Sequence, residues 1–571
     1  MLGDPKYSDG FSHFDYVATD APNGGRVRLS VVGRFDNLNF WNRKGVRSAA
    51  ARQCVESLMA PSLDEGSTHY GLLAEWMERP KDASWVAFRI RENARFHDGR
   101  PVTPTDCVKS LEMLVESGRP FFAAYYANVE RAVDEGENIV RFHFDQTGNK
   151  ELPHIMGQLD VFPAHWWEGR DFAEPILEPL LGSGPYRISE FDAGKFVQLS
   201  RVADYWGAET PTRAGQNNFD EIRFEYFFEQ AAAFEAFKRG DIDYWNENRA
   251  KRWAQEYDFP AAAQGKVIKR EVPLDGPKTV QAFAFNARRT KFQDRRVRQA
   301  LALAFDFEWT NQAVFYEQYA RPSSYFQGSE PLMATGAPSA EEVALLEPFR
   351  DQLPPELFEQ AFETPATDGS GRFRRLRRDA NRLLSEAGYP LQDGKRIGPD
   401  GAPFTVEFLG YQDSQRPVVD PYLRNLQLLG IDTAFRGVDA AQYQNRLLSF
   451  DFDMVVTGWA NSESPGNEQR DYWGSASANV EGGRNLAGVQ NPVVDALIEK
   501  IIFAPDRAAL ETASKALDRV LLWEHYAVLE LYEPRERIAY WDRFSAPDPL
   551  PSRSVGFPAV WWWDAEKAAK L

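Results

Sequence analysis

Cysteine is nearly missing from this chain: Cys54 and Cys107 are the only two in 571 residues. They could make one disulfide at most, so a disulfide-stapled scaffold is excluded. Their separation gives no metal-binding pair, and the seven histidines show no two-His helical spacing. Basic charge is also short, with 66 Lys and Arg against 84 Asp and Glu and a net charge of −18. That balance argues against general nucleic-acid binding and suits steering of cationic or zwitterionic ligands. Long apolar runs are absent. Stretches such as Val455–Val456 and Trp561–Trp563 fall far below the roughly 18 residues of a membrane span.

Catalytic signatures are missing too. The sequence has no Gly-x-Ser-x-Gly elbow, no phosphate loop and no dinucleotide glycine fingerprint. Gly182-Ser183-Gly184 reads as a turn entering a strand, because Pro185 follows it. Acids are abundant, yet no motif singles out a catalytic pair. The start, Met1-Leu2-Gly3-Asp4-Pro5, has neither the basic nor the apolar region of a signal peptide. It fits a cytosolic protein or a sequence that begins after a removed signal.

The content that is present describes a globular chain of two to four domains: 43% hydrophobic, 26% charged and 13% aromatic. Arg26–Val32, Trp85–Arg91, Ile222–Phe228 and Phe404–Leu409 alternate as strands, and Phe452–Val456 reads as a buried strand ending at Gly458-Trp459. Thr103-Pro104-Thr105-Asp106 is a helix start with N-cap and capping-box residues. Helices are expected at 48–60, at 231–237 before Gly240, at 294–305 and at 373–387. The arginines Arg372, Arg374, Arg375, Arg377 and Arg378 read as a solvated helix face. Residues 328–370 read as the least ordered stretch, a surface excursion. Strands and helices mix throughout without internal repeat, so the class is α/β.

Several blocks resemble the family 5 extracellular solute-binding proteins, the dipeptide and oligopeptide receptors of ABC importers. They are Phe88–Arg91 through Phe96-His97-Asp98-Gly99 to Asp106; Gly182–Tyr186 with Asp204–Gly207; Phe237 to Gly240–Asp243; Phe285-Asn286 with Asp294, Val297–Ala300 and Asp306; and Ala387-Gly388-Tyr389. Ser464–Ser475, Ala539–Phe544, Gly556–Pro558 and Trp561–Asp564 are similar to the YejA-type branch, associated with peptides and conjugates of the microcin C kind.

The resemblance implies a two-lobe periplasmic binding protein fold (type II, cluster C) with an inserted subdomain in the first lobe. The first lobe would comprise 1–45, 184–276 and 528–571, the inserted subdomain 46–183, and the second lobe 277–527. The crossovers would lie near Val272–Thr279 and Ala527–Leu531. It further implies a periplasmic monomer without catalysis, cofactor or metal, which captures a peptide and delivers it to inner-membrane permease subunits. The alternatives are a receptor for an opine or sugar conjugate, and, more remotely, a hydrolase.

The resemblance marks as candidate ligand residues Trp459, with Asn461, Ser462, Glu463, Asn467 and Arg470 in the loop after it, and Trp245 and Asn246; position adds Arg34, Phe35 and Asp36, which follow the first strand and are expected to approach the ligand with backbone groups, and Phe122 and Tyr125, after the 103–117 helix, as a side pocket. Relatives that bind dipeptides carry an Asp for the ligand amine where this chain has Ser462, so Glu463 is the expected substitute. Trp561–Trp563 are expected to pack in the core. Cys54 and Cys107 are expected as two buried thiols rather than a disulfide.

Overall fold

The computed structural model describes residues 3–411 and 415–571. Met1 and Leu2, at the start read for a leader, lie outside the described residues. The chain divides into two compact units. The first is Met1–Asn248, Gln255–Asp275 and Arg535–Leu571; the second is Arg249–Ala254 and Gly276–Pro534.

The first unit is built on a seven-stranded mixed sheet. Its order is Val267–Pro273, Arg535–Trp541, Tyr244–Asn246, Arg26–Val32, Glu221–Phe227, Phe196–Arg201, Tyr186–Asp192. Arg26–Val32 runs parallel to both Glu221–Phe227 and Tyr244–Asn246, so three strands end on one edge of the sheet. A separate antiparallel sheet contains Ala74–Glu78, Trp85–Ile90, Ile139–Phe144 and Val129–Gly136. Ile139–Phe144 alternates buried and half-buried residues, the pattern of a strand with one face on a core. The helix Pro104–Ser117 starts with the expected capping box, Thr103 and Asp106 each satisfying the other's backbone N–H.

The second unit has a five-stranded sheet in the order Asp432–Val438, Thr405–Tyr411, Met454–Trp459, Val280–Phe285, Ala527–Leu531. Thr405–Tyr411 is parallel to Asp432–Val438 and to Met454–Trp459, whereas Val280–Phe285 is antiparallel to its two neighbours. The 18-residue helix Arg507–Glu524, capped by Asp506, carries ten buried residues and is the spine of this unit.

Three expectations need correction. Residues 48–60 are not one helix: a short 3-10 turn, Ala49–Cys54, gives way to the strand Met59–Pro61, which pairs with His69–Gly71. The strand pairing outweighs the local helical pattern. Residues 328–370 are ordered by burial: Leu332, Leu346, Leu353 and Leu357 are core residues, and Ser339 with Glu342 caps the helix Ala340–Leu346. Finally, the return to the first unit comes at Arg535 rather than 528, because Ala527–Leu531 pairs with Val280–Phe285 and every residue in it is buried. Arg249–Ala254 likewise belongs to the second unit.

Other expectations match the fold. Gly182-Ser183-Gly184 does lead into the strand Tyr186–Asp192, and a Cβ on Gly182 would lie 1.8 Å from the Cys54 carbonyl oxygen, so the close approach demands glycine. The 372–378 arginines are exposed. Of Trp561–Trp563, Trp561 is 1% exposed in the first unit's core, Trp563 is half-buried against it, and Trp562 is half-buried. Cys54 and Cys107 are free and buried, and burial pushes both thiols up, Cys54 to about 12.

Candidate functional site

In the first unit, the carboxyl ends of the three parallel strands put Val32, Phe227 and Asn246 on one edge. Open sheets bind ligands at such edges, where loops are free to carry specific side chains. The chain leaves Val32 through Gly33, at φ 109°, whose N–H donates to the Phe227 carbonyl at 2.8 Å. Phe228 is 76% exposed, the most exposed large apolar side chain among the described residues, and Val32 is 43% exposed.

The expected residues of the first unit have different surroundings. Arg34 and Asn246 are exposed. Phe35 is buried against Tyr226, with ring centroids 4.8 Å apart. Asp36 turns back on its own loop, accepting from the Val46 N–H at 2.6 Å. Trp245 is buried against Phe234 and donates through Nε1 to Glu247 Oε2 at 3.0 Å. Tyr257 also donates to Glu247, at 3.1 Å. Phe122 is buried, and Tyr125 stacks on Phe121 and donates to Gln158 Oε1 at 3.2 Å.

In the second unit, Met454–Trp459 ends in an aromatic box. Trp459 is 2% exposed, 4.6 Å from Trp473 and 5.4 Å from Tyr325 by ring centroid. The following loop is internally bonded. Asn461 donates to the Tyr325 carbonyl at 2.7 Å and accepts from Gln469 at 2.9 Å. Ser462 Oγ accepts from the Ser464 N–H at 3.2 Å, and the Glu463 carbonyl accepts from Arg507. Asn467 is fully buried, and Arg470 is paired with Glu499 at 2.8 Å. The half-buried side chains of Asn461, Ser462 and Glu463 follow the box directly.

Sequence reasoning missed what holds the box. Asp518, on the long helix, accepts from Ser324 Oγ at 2.6 Å and from the N–H groups of Tyr325 and Ala334 at 2.8 Å. Beside it, Arg519 pairs with Glu342 at 2.9 Å and donates to the Gly336 carbonyl at 3.0 Å. These bonds tie the excursion to the helix and thereby set Tyr325 against Trp459. The partners are almost two hundred residues apart, so no local pattern reveals them.

With this geometry in place, comparison with known proteins is informative. The model of the bacterial extracellular solute-binding proteins, family 5, matches residues 68–480. The chain is similar to the probable peptide-binding protein YejA of Agrobacterium fabrum, 43% identical over 571 residues, covering 98% of this chain and 93% of that protein. It is also similar to the peptidoglycan-binding protein YepA of the same organism, 37% identical with 99% and 94% covered. Among solved structures, the oligopeptide-binding protein AppA of Bacillus subtilis, in complex with a nonapeptide, superposes with a TM-score of 0.75. There the identity is 19%, covering 95% of this chain and 100% of that one.

The two mixed sheets are the cores of the two lobes of a type II, cluster C periplasmic binding protein. This chain belongs to the bacterial extracellular solute-binding proteins, family 5.

Proposed function

We propose that this protein is the receptor of an ABC importer, which binds peptides and hands them to membrane permease subunits as a monomer. The similarity over nearly the whole chain to a protein named as peptide-binding carries this reading. The residues support it chemically. A peptide offers backbone amides, two charged ends and varied side chains. The first unit's edge offers the exposed apolar surfaces of Val32 and Phe228 beside the polar side chains of Arg34 and Asn246. The second unit offers half-buried polar side chains just after a rigid aromatic box. In this reading Phe35, Trp245 and Trp459 support the ligand surfaces from beneath, as their burial suits. Residues 46–183, which contain the separate four-stranded sheet, form an insertion in the first lobe.

The ligand amine is held by Glu463. Its carboxylate supplies the negative charge that Ser462 lacks, and a charge-assisted hydrogen bond of this kind is worth about 1.5–3 kcal/mol. Glu463→Gln therefore weakens free-amine peptides about ten- to hundredfold by calorimetry, and N-acetylated ones hardly at all. Equal losses for both would remove Glu463 from the role.

The similarity to a protein named as peptidoglycan-binding favours a second reading, in which the peptides come from cell-wall fragments. Ligands released from protein purified without denaturation decide the matter by mass spectrometry. Intact peptides are expected, and amino-sugar masses attached to them would assign the cell-wall source. Free sugars, opines or shortened library peptides would overturn the peptide-receptor reading.

A further inference from the structure

The loop that follows the first strand of the first unit is unusually well tied. Asn37 is fully buried; its amide donates to Asn42 Oδ1 at 2.7 Å and to the Lys44 carbonyl at 2.8 Å. Its carbonyl oxygen accepts from the N–H groups of Asn39 at 2.8 Å and Ile176 at 3.0 Å. Asn39 and Asn42 are buried as well, and donate to the carbonyls of Phe172 and Glu174. Arg47 forms a bridge with Asn37, and the Arg119 N–H donates to the Trp41 carbonyl. The backbone around Arg47 is therefore held in place.

The side chain on that platform is not. Among the described residues, the only partner of the Arg47 guanidinium is the ring of Phe40, 5.8 Å from its centroid. Nη1 is buried without a hydrogen-bond partner. Burial pushes its pKa down, and no nearby acid counters that shift. Arg119 lies 5.2 Å from the same Phe40 ring and 5.1 Å from Phe122, so a second guanidinium shares the site. Arg288 and Arg213 differ from Arg47. Arg288 spends its donors on Asn286 Oδ1 and the carbonyls of Ala478, Asn485 and Leu486, and Arg213 grips Glu56. A guanidinium held on a rigid loop, part-buried and unpaired, is one arranged to meet an anion that arrives from outside.

We infer that Arg47, flanked by Phe40 and Arg119, is an anion-receiving subsite that takes a carboxylate or phosphate oxygen of the bound solute. The inference rests on the solute-receptor reading and makes the first lobe selective for ligands carrying an acidic group. Arg47 acts by direct contact, with the Phe40 ring beside its guanidinium and Arg119 adjoining the same ring.

The test pairs the tripeptides Ala-Glu-Ala and Ala-Gln-Ala, and inorganic phosphate, against the full chain and its Arg47→Met and Arg47→Lys variants. Methionine keeps an apolar stem over Phe40, and the thermal midpoint of each variant reports folding. The unaltered protein should bind the glutamyl peptide about tenfold tighter than the glutaminyl one, the scale of one charge-assisted bond. Arg47→Met should erase that difference without weakening the glutaminyl peptide, and Arg47→Lys should keep part of it. A glutamyl preference that survives Arg47→Met, or no preference at all, overturns the subsite while leaving peptide binding intact. If neither peptide binds, the peptide reading fails, and phosphate decides: saturable binding lost in Arg47→Met upholds the subsite, and equal binding or none overturns it. Should Arg47→Met not fold, Arg47→Lys decides alone, by retaining a reduced preference or by leaving it unchanged.

Discussion

Asp243 in the first unit and Asp518 and Glu530 in the second are buried in different ways. In the first, Asp243 is 1% exposed and meets two guanidinia, Arg28 Nη2 and Arg543 Nη1, each at 2.9 Å from Oδ1. The Arg28 N–H also donates to it at 2.7 Å. In the second, among the described residues, Asp518 is held by a hydroxyl and two backbone N–H groups, and Glu530 by the Gln281 amide at 2.9 Å. Burial without a bonded cation pushes Asp518 up to about 6 and Glu530 up to about 7. The lesson is that equally buried carboxylates serve opposite ends. One neutralises charge that the fold has already buried, while the others act as acceptors whose ionisation the fold resists.

The largest expected effect breaks the first arrangement. Asp243→Ala strands Arg28 and Arg543 beside a buried hole and should cost about 3–5 kcal/mol in urea unfolding. A loss below about 1 kcal/mol would mean that water already screens the pair.

Next comes the pH response of the second arrangement. Native Glu530 keeps its proton up to about pH 7, whereas a free glutamate releases it near 4.5. Between those values the native state binds more protons than the unfolded one, so stability falls as pH rises through the window and stays low above it. At about 1.4 kcal/mol per pH unit, the loss is on the order of 3 kcal/mol. Glu530→Gln keeps a neutral acceptor for Gln281 and should recover most of that at pH 8, with little effect at pH 4. Equal effects at both pH values, by chemical denaturation, would show that the carboxyl does not titrate in this window.

Asp518→Asn should cost less, about 1–3 kcal/mol, because one amide oxygen cannot satisfy three buried donors. Its distinctive sign is local: proteolysis within 321–346 should quicken before global unfolding does. Uniform destabilisation without local cleavage would mean that Asp518 does not hold the excursion.

The smallest effect contrasts buried with exposed charge. Arg375→Gln and Arg378→Gln lie on a solvated face and should change stability by no more than about 0.5 kcal/mol. A larger change would reveal a partner for that face.

Much of the fold is legible along the chain because its causes are local. Thr103 and Asp106 announce a helix by their capping chemistry. Gly240, left-handed at φ 80°, ends another where the sequence places it. The Gly182–Gly184 turn is readable for the same reason, and the family blocks spread along the chain carry the class of protein. The candidate site is only half legible. Trp459 could be placed at a strand end, but its burial depends on Tyr325 and Trp473, which reach it from distant segments. Residues 48–60 and 328–370 misled because strand pairing and anchoring to Asp518 and Arg519 override local propensity and composition.

The sequence by itself therefore determined the charge balance, the α/β class and those elements whose causes lie a few residues apart. Only the tertiary structure decided which carboxylates find cations, which strand carries Glu530 into the second sheet, and that Arg47 is left without a partner. Burial and pairing are properties of assembled surfaces. A side chain's desolvation, and the charge that does or does not answer it, exist only once residues far apart in the chain have been brought together.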